Sequence, residues 1–427
     1  MADYSPPDTQ DGADTGGARK SGKVADFRYK RSPQPEDGPP VPGGTARAAS
    51  PAHVSNGGNG SKKDEATTRR PATQPPRKFG PYRPHGRRKQ AYAALDLGTN
   101  NCRLLIARPS GENFTVIDAF SRVVKLGEDL ATTGMLSDEA MDRAVAALKI
   151  CAEKLRRRNV HLARSVATEA CRRAGNGDAF IERVREETGI VLDIITAEEE
   201  ARLAVLGCHV LLEAGGGPAV IFDIGGGSTE LVLIEPADPV PRILDWQSVP
   251  WGVVSLTDTV GRAEGDAAQR LERYEEMRRT VRDSFDEFAG RIAHFSDARD
   301  IRLLGTSGTV TTLASLHLKL PQYDRQAVDG LIVRSRSMRE ISARLSGMAP
   351  QDRRELPCIG DDRADLVVAG CAILESILDI WPAEHLGVAD RGIREGILRS
   401  LIAANDAGEE ARRALRDLAA GAPAAPR

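Results

Sequence analysis

The chain has 427 residues, 41% of them hydrophobic, and a formal net charge of −2. That length can bury a substantial core and predicts two or three domains, while no apolar run reaches the roughly 18 residues of a membrane span. Residues 1–90 carry 17 Lys and Arg against 9 Asp and Glu, which leaves −10 for the remainder. Six cysteines, Cys102, Cys151, Cys171, Cys208, Cys358 and Cys371, are scattered with no Cys-x-x-Cys pair. This usage excludes a disulfide frame or a zinc site and fits reduced thiols in a cytoplasmic protein. The N-terminus lacks the apolar core of a signal peptide.

Residues 1–90 are rich in Pro, Gly, Ser and Thr and poor in aliphatic residues. They cannot bury enough apolar surface to offset chain entropy, so a disordered arm is expected. Between Ala66 and Gln90 there is no acid, but Arg69, Arg70, Arg77, Lys78, Arg83, Arg87, Arg88 and Lys89 all occur. Two readings stand: an electrostatic tether for a polyanion such as nucleic acid, polyphosphate or anionic membrane, or a solvated linker of biased composition.

Order is expected from Tyr92 onward. Ala94–Asn101 reads ALDLGTNN and Phe222–Thr229 reads FDIGGGST, with Asp223 127 residues after Asp96. Each is an apolar run, an Asp-x-Gly turn with small polar residues, and a second apolar run, which predicts a hairpin. Between them come an extended stretch at 114–124 and a helix capped by Ser137, with Met141, Val145, Leu148, Cys151 and Leu155 on one face. A short strand at 164–167, a helix at 178–188, a strand at 191–195 and an acid-started helix from Glu198 to about Leu212 follow. After the second hairpin the pattern predicts a helix at 265–293 and a strand at 301–304 that meets the loop Gly305–Thr309. Helices at 336–347 and 363–379, a strand end at 388–390, a terminal helix opening at Arg391, and fraying beyond Asn405 complete it. Strands alternating with helices imply an α/β architecture, and the duplicated hairpin implies two related halves.

The hairpin tips carry the chemistry. An Asp beside bare backbone N–H groups can carry a hydrated cation while the N–H groups hold phosphate oxygens. A P-loop is excluded, because no Gly-x-x-x-x-Gly-Lys-Ser/Thr occurs. Gly225, Gly226 and Gly227 lack dinucleotide-site spacing, and a strand follows them where that site needs a helix. Alone they would be a tight turn, but Asp223, Ser228 and the echo at Asp96 and Thr99-Asn100-Asn101 favour phosphate. The loop Gly305–Thr309 has two readings, an anion site at a helix start and ordinary capping.

The segments Ala94–Asn101, Val166–Asn176, Ile195–Leu203, Phe222–Glu230 and Gly305–Thr309, in this order, resemble the exopolyphosphatase / guanosine pentaphosphate phosphohydrolase (Ppx/GppA) family of the actin-like phosphotransferase superfamily. The resemblance covers about residues 91–400. It implies two ribonuclease-H-like domains, one over 91–175 completed by a helix at 391–405 and one over 176–390, with the active site in the cleft between them and a frayed tail at 406–427. It also implies release of the terminal phosphate of inorganic polyphosphate or guanosine pentaphosphate by water, with Mg²⁺ as the cofactor. Asp96 and Asp223 would then be cation or water ligands, with Glu230 a metal or neighbouring group. Thr99, Asn100, Asn101, Gly225, Gly226, Gly227 and Ser228 would hold phosphate oxygens. Arg172 and Lys125 would neutralise developing charge, and Glu200 and Glu169 are the candidate bases. The acids at 198–200 also suit a helix start by its dipole alone. Arg391 and Arg394 either reach substrate or make structural salt bridges.

The chain departs from the family pattern in three places. Arg173 stands where relatives often have an acid, Lys125 where they often have Arg, which loses bidentate contact, and the chain ends soon after the two-domain core. Processive digestion of long polymers is therefore not expected. Polyphosphate and the pentaphosphate nucleotide present the same terminal anhydride, so both remain. An actin-like ATPase or sugar kinase and a non-catalytic alarmone-binding protein are the alternatives, and a homodimer, common among relatives, stays open.

Overall fold

The structure is a computed structural model that describes residues 90–420, except 112, 214, 238, 239 and 296–300, with side chains as far as 408. The proposed basic arm lies outside the described residues.

The chain first builds β1 (Ala91–Leu97), β2 (Asn101–Ser110) and β3 (Asn113–Val123), then α1 (Leu130–Thr133), α2 (Asp138–Arg157), β4 (Val160–Ala167), α3 (Glu169–Arg173), α4 (Gly177–Thr188), β5 (Asp193–Ile194) and α5 (Ala197–Cys208). The five strands form one sheet in the order β3-β2-β1-β4-β5. β1 pairs antiparallel with β2 and parallel with β4. β1 is buried almost throughout, as its continuous apolar run requires of a strand covered on both faces. Ser137 caps α2 by accepting from the Ala140 N–H, and Ala140, Ala144, Val145, Leu148 and Cys151 are buried on one side of that helix.

The second sheet repeats the first. It comprises β6 (Ala219–Ile224), β7 (Thr229–Glu235), β8 (Arg242–Val249), β9 (Arg302–Thr306), β10 (Ile332–Arg334) and β11 (His385–Ala389), in the order β10-β11-β9-β6-β7-β8. Again two antiparallel pairings, β6–β7 and β7–β8, are followed by a parallel β6–β9. The helices of this half are α6 (Val253–Val260), α7 (Ala267–Ile292), α8 (Gly308–His317), α9 (Arg325–Val328), α10 (Ser335–Gly347), α11 (Pro350–Arg354) and α12 (Leu366–Ile380). The last helix, α13 (Ile393–Ala420), returns to pack on β1, β2, β4 and α5. Both sheets thus have the α/β order of two ribonuclease-H-like halves.

α5 and α13 lie between the sheets. Leu203 and Ala204 of α5 join Ile397, Leu398 and Leu401 of α13 on the first sheet, while Ala201, Val205 and Cys208 pack on the second. Two glycines let the helices meet. A Cβ at Gly207 would sit 2.0 Å from the Gly392 carbonyl oxygen, and one at Gly396 2.0 Å from that of Leu203.

Several boundaries differ from the sequence expectation. β4 starts four residues earlier, at Val160, and β5 spans only Asp193–Ile194. α5 ends at Cys208, where a 3-10 turn at His209–Leu211 tightens the chain. The edge strand β8, with sequence RILDWQSV, shows no apolar alternation and gave no signal, as did the short α6 and β10. Over the expected frayed tail from 406, α13 continues as helix to Ala420, through a run rich in Ala, Glu, Arg and Leu, which are strong helix formers. Among the described residues no helix is long and apolar enough to cross a membrane.

Candidate active site

Both hairpin tips open into one cleft of about 580 Å³. The tips are built alike. In the first, the Gly98 N–H donates to the Asn101 carbonyl at 2.9 Å, and in the second the Gly225 N–H donates to the Ser228 carbonyl at 2.9 Å. Each loop's outer carbonyls are taken by the segment behind it. Val124 and Lys125 N–H donate to the Asn100 carbonyl and Gly127 N–H to that of Thr99, while Val253 and Val254 N–H at the start of α6 donate to Gly225 and Gly226. The N–H groups of Thr99, Asn100, Gly226 and Gly227 take no backbone acceptor among the described residues, and these four residues line the cleft. Glycine is required here by close approach. A Cβ on Gly227 would fall 2.6 Å from Thr99 Oγ1, and one on Gly252, beneath the loop, 2.4 Å from the Gly226 carbonyl carbon.

The strand parallel to each Asp-bearing strand also ends at the cleft. Asp96 stands in register with Val166 on β4, which leads to Thr168 and Glu169, and Asp223 with Thr306 on β9, which leads to Ser307 and Gly308. All of these but Val166 line the cleft, at the carboxyl ends of the strands, where open α/β sheets bind ligands.

Asp96, Asp223, Glu169, Glu200 and Glu230 all line the cleft. Burial raises the Asp96 carboxyl above the usual carboxylate range, against the pull of Arg103 and Arg394. Burial also pushes Asp223 up to about 6, with Asp96 adding to the effect. Glu230 is pushed up to about 7 by burial and by Asp223, although its Oε1 accepts from Ser228 Oγ at 2.6 Å and Ser248 Oγ at 3.0 Å. Glu200, on the first turn of α5, is raised well above the ordinary range by burial and by the negative charge of Glu230. The Asp96 and Asn100 Oδ1 atoms are buried and accept no hydrogen bond among the described residues. Among the described residues, no group of three or more His, Cys, Asp or Glu side chains could hold a metal ion. An ion here would rest on Asp96 and Asp223. Two carboxylates with raised proton affinity fit Mg²⁺, which keeps several waters and takes the rest of its shell from substrate oxygens.

The two nominated cations do not line the cleft. Arg172 is engaged on all sides: Nη2 reaches Glu169 Oε2 at 2.6 Å, Nη1 and Nη2 both reach Glu200 Oε2 at 3.1 Å, and Nη1 donates to the Ile195 carbonyl at 2.7 Å. Lys125, at φ 48°, lies 3.7 Å from Asp362 of the second half. Glu169 also has Arg173 Nε at 3.8 Å from Oε1, so arginines flank both its oxygens. Arg391 lines the cleft but is held by Asp329 at 2.7 Å.

The cations that do face the cavity are Arg103, Arg363 and Arg394, together with Arg391. Arg394 had been considered from its place at the helix start, and burial pushes its pKa down. Arg103 was missed, yet hairpin register pairs it with Asp96. Arg363 carried no signal for the site: the pattern predicts it at the start of a helix over 363–379, but α12 begins only at Leu366, and Arg363 sits in the turn before it, which the tertiary fold brings to the cleft. Of the third small-residue loop, Thr306 to Thr309 reach the cleft. Ser307 adopts φ 111° and caps α8 by accepting from the Thr309 N–H at 3.3 Å.

The comparisons agree with this geometry. A model of the Ppx/GppA phosphatase family matches residues 105–404. The chain is 32% identical over 323 residues to exopolyphosphatase 2 of Mycobacterium tuberculosis, a match covering 72% of this chain and 98% of that protein. Among solved structures it is similar to a Ppx/GppA family member of Aquifex aeolicus, with TM-score 0.61 and 28% identity over 74% of this chain and 98% of the other. An exopolyphosphatase from Cytophaga hutchinsonii aligns with TM-score 0.63 and 25% identity over 74% and 98% of the two chains. By its strand order, its paired loops and these matches, the chain belongs to the Ppx/GppA phosphatase family.

Proposed function

We propose that the protein releases the terminal phosphate of inorganic polyphosphate or guanosine pentaphosphate by attack of water, in the cytoplasm. The observation that carries this reading is Glu200, a buried carboxylate with raised proton affinity, in one cleft with two loops of unspent N–H groups.

The loops at 99–101 and 225–228 hold the phosphate oxygens through fixed donors, which cost no reorganisation as charge develops. Mg²⁺ held by Asp96 and Asp223 would supply neutralisation of the anhydride oxygens. Glu200 takes the proton of the attacking water as its oxygen bonds to the terminal phosphorus. The anhydride P–O bond breaks, and the shortened polyphosphate or guanosine tetraphosphate leaves with the electron pair. Burial raises the proton affinity of Glu200 above the ordinary carboxylate range, in the direction a general base needs. Glu169, flanked by Arg172 and Arg173, is the weaker candidate, and Arg172 serves to orient both glutamates. Glu230 holds Ser228, a role its two serine hydrogen bonds support better than metal ligation.

Phosphate release is measured with polyphosphate, guanosine pentaphosphate and ATP, each with Mg²⁺. Release from ATP alone would overturn the reading in favour of an ATPase. Glu200→Gln is expected to lower the rate by about 10²- to 10⁴-fold, the usual contribution of a general base, while ligand still binds. An unchanged rate would remove Glu200 from this role.

A further inference from the structure

Each phosphate loop is held from behind by its carbonyls. In the first loop backbone N–H groups do this, from Val124 and Lys125 to the Asn100 carbonyl and from Gly127 to that of Thr99. In the second loop the start of α6 does the same for two of the three glycines. Val253 N–H donates to the Gly225 carbonyl at 3.0 Å, and Val254 and Ser255 N–H donate to that of Gly226 at 2.7 and 3.2 Å. No backbone N–H reaches the third carbonyl, on Gly227, among the described residues. A side chain takes it instead. Ser255 Oγ donates to the Gly227 carbonyl at 2.9 Å and accepts from the Gly252 N–H at 2.9 Å. The Pro250 and Gly252 carbonyls lie farther from the same hydroxyl, at 3.1 and 3.4 Å. A serine has one proton to give, and by distance it belongs to Gly227.

That bond sets the direction of a donor. A trans peptide is planar, so its C=O and N–H point to opposite sides. With the Gly227 oxygen turned back to Ser255, the Ser228 N–H turns away from α6. Ser228 lines the cleft, and its N–H takes no backbone acceptor among the described residues. It therefore extends the row of N–H groups on Gly226 and Gly227, a nest of the kind that binds anions. Glycines do not hold such a row in place themselves, since they rotate at little steric cost. Ser255 is buried on the first turn of α6 and does not itself line the cleft.

We infer that Ser255 is a positioning residue for phosphate: from outside the cavity it fixes the peptide between Gly227 and Ser228 so that the Ser228 N–H, and not the Gly227 oxygen, faces the bound anion. The inference rests on the phosphohydrolase reading above and specifies which side chain keeps the second loop in its anion-binding form. Without the hydroxyl that peptide is free to turn over. A donor would then be replaced by the negative end of a carbonyl beside the phosphate oxygens. Ser255 acts on the grip of the ligand through the backbone, with no contact of its own to the substrate.

The test compares Ser255→Ala and Ser255→Thr with Thr257→Val, each in the full chain. Thr257 is the control, because its hydroxyl lies on the same helix but donates to the Val253 carbonyl at 2.6 Å, away from the loop. Calorimetric binding of pyrophosphate, initial rates with polyphosphate and thermal unfolding are measured for each, with Mg²⁺ present. Ser255→Ala is expected to weaken pyrophosphate binding and raise KM about tenfold, the scale of one charge-assisted hydrogen bond, with kcat changed much less. Ser255→Thr keeps the hydroxyl and should restore most of both. Thr257→Val should leave affinity and KM in place, whatever it does to the unfolding temperature. A purely structural role for Ser255 would lower kcat through a smaller active fraction, at unchanged KM and affinity. That result, or an equal loss of affinity in Thr257→Val, would overturn the inference. Should Ser255→Ala fail to fold, Ser255→Cys, which keeps the shape with a weaker donor, carries the same comparison. If the unmodified protein bound pyrophosphate but released no phosphate from polyphosphate, the hydrolase reading would fall, and the affinities would still decide the role of Ser255.

Discussion

The guanidinium of Arg172 lies 2.6 Å from Glu169 and 3.1 Å from Glu200, so it fixes the position of both candidate bases. Its charge also opposes the burial that raises the Glu200 pKa. Removing an opposite charge at this range moves a carboxyl up by about 1 to 3 units. Arg172→Gln should therefore move the acidic limb of the kcat–pH profile upward by about one unit or more. The rate at neutral pH falls because less Glu200 is ionised, and it recovers at higher pH. A loss of equal size at every pH would mean that Arg172 acts through something other than the Glu200 proton. Lys125 makes a separate case. Its ammonium faces Asp362 instead of the cavity, in a half-exposed pair of the kind that is worth about 0–1 kcal/mol. An anionic substrate can compete for a partner held that weakly. Asp362→Asn should then lower KM for polyphosphate about two- to fivefold at low salt, with kcat unchanged. That gain should shrink as ionic strength rises, and a KM insensitive to the substitution would mean Lys125 never meets the substrate.

Among the elements, α5 couples the proposed base to the frame, carrying Glu200 on its first turn and Gly207 at the crossing with α13. Gly207→Ala places a methyl against the Gly392 carbonyl, which neither helix can relieve by rotating a side chain. The expected cost is about 1–3 kcal/mol. Gly290→Ala in α7 meets nothing within 4 Å and should stabilise by about 0.5–1 kcal/mol. Thermal unfolding of the two variants should move in opposite directions, and a neutral Gly207→Ala would show that the helices are not in close contact. Elements of this kind explain what the sequence could and could not reveal. The paired hairpins were legible because glycine and apolar runs are local signals, and the 127-residue offset matches Asp96 to Asp223, Gly98 to Gly225 and Asn101 to Ser228. β8 was not legible, since a half-buried edge strand carries no apolar alternation. The surroundings of the cations were not legible for a related reason. Arg172 and Lys125 stand near the motifs in sequence, but whether a guanidinium meets a carboxylate or open space depends on tertiary contacts, as with Arg172 and Arg363.

For the molecule as a whole, the cleft concentrates buried carboxylates whose proton affinity is raised by folding, which makes stability depend on pH in a definite sense. Asp223 is pushed up to about 6 and Glu230 to about 7, while Asp96 and Glu200 are raised as well. Each binds its proton more tightly folded than unfolded, so in the window between about pH 4 and these values the folded state holds more protons. Stability must then fall as pH rises through 6 and 7. At about 1.4 kcal/mol per unit of pKa, the change is on the order of a few kcal/mol. The opposite contribution, from carboxylates held low by arginine or lysine such as Asp118, Glu199, Asp379 and Glu395, is lost only in more acidic solution, as pH falls through the carboxylate range and below. Metal-free protein should accordingly unfold at a higher temperature at pH 6 than at pH 8. A divalent cation that binds only the folded state stabilises it further by mass action. If it sits on Asp96 and Asp223, protons compete with it. Mg²⁺ should then raise the unfolding temperature more at pH 8 than at pH 6 and flatten the pH dependence. Asp223→Asn should weaken both effects together. If the metal-free protein were no more stable at pH 6, the raised proton affinity assigned to the buried cleft carboxylates would be absent. If Mg²⁺ stabilised equally at both pH values, the ion would be bound somewhere other than between these two carboxylates.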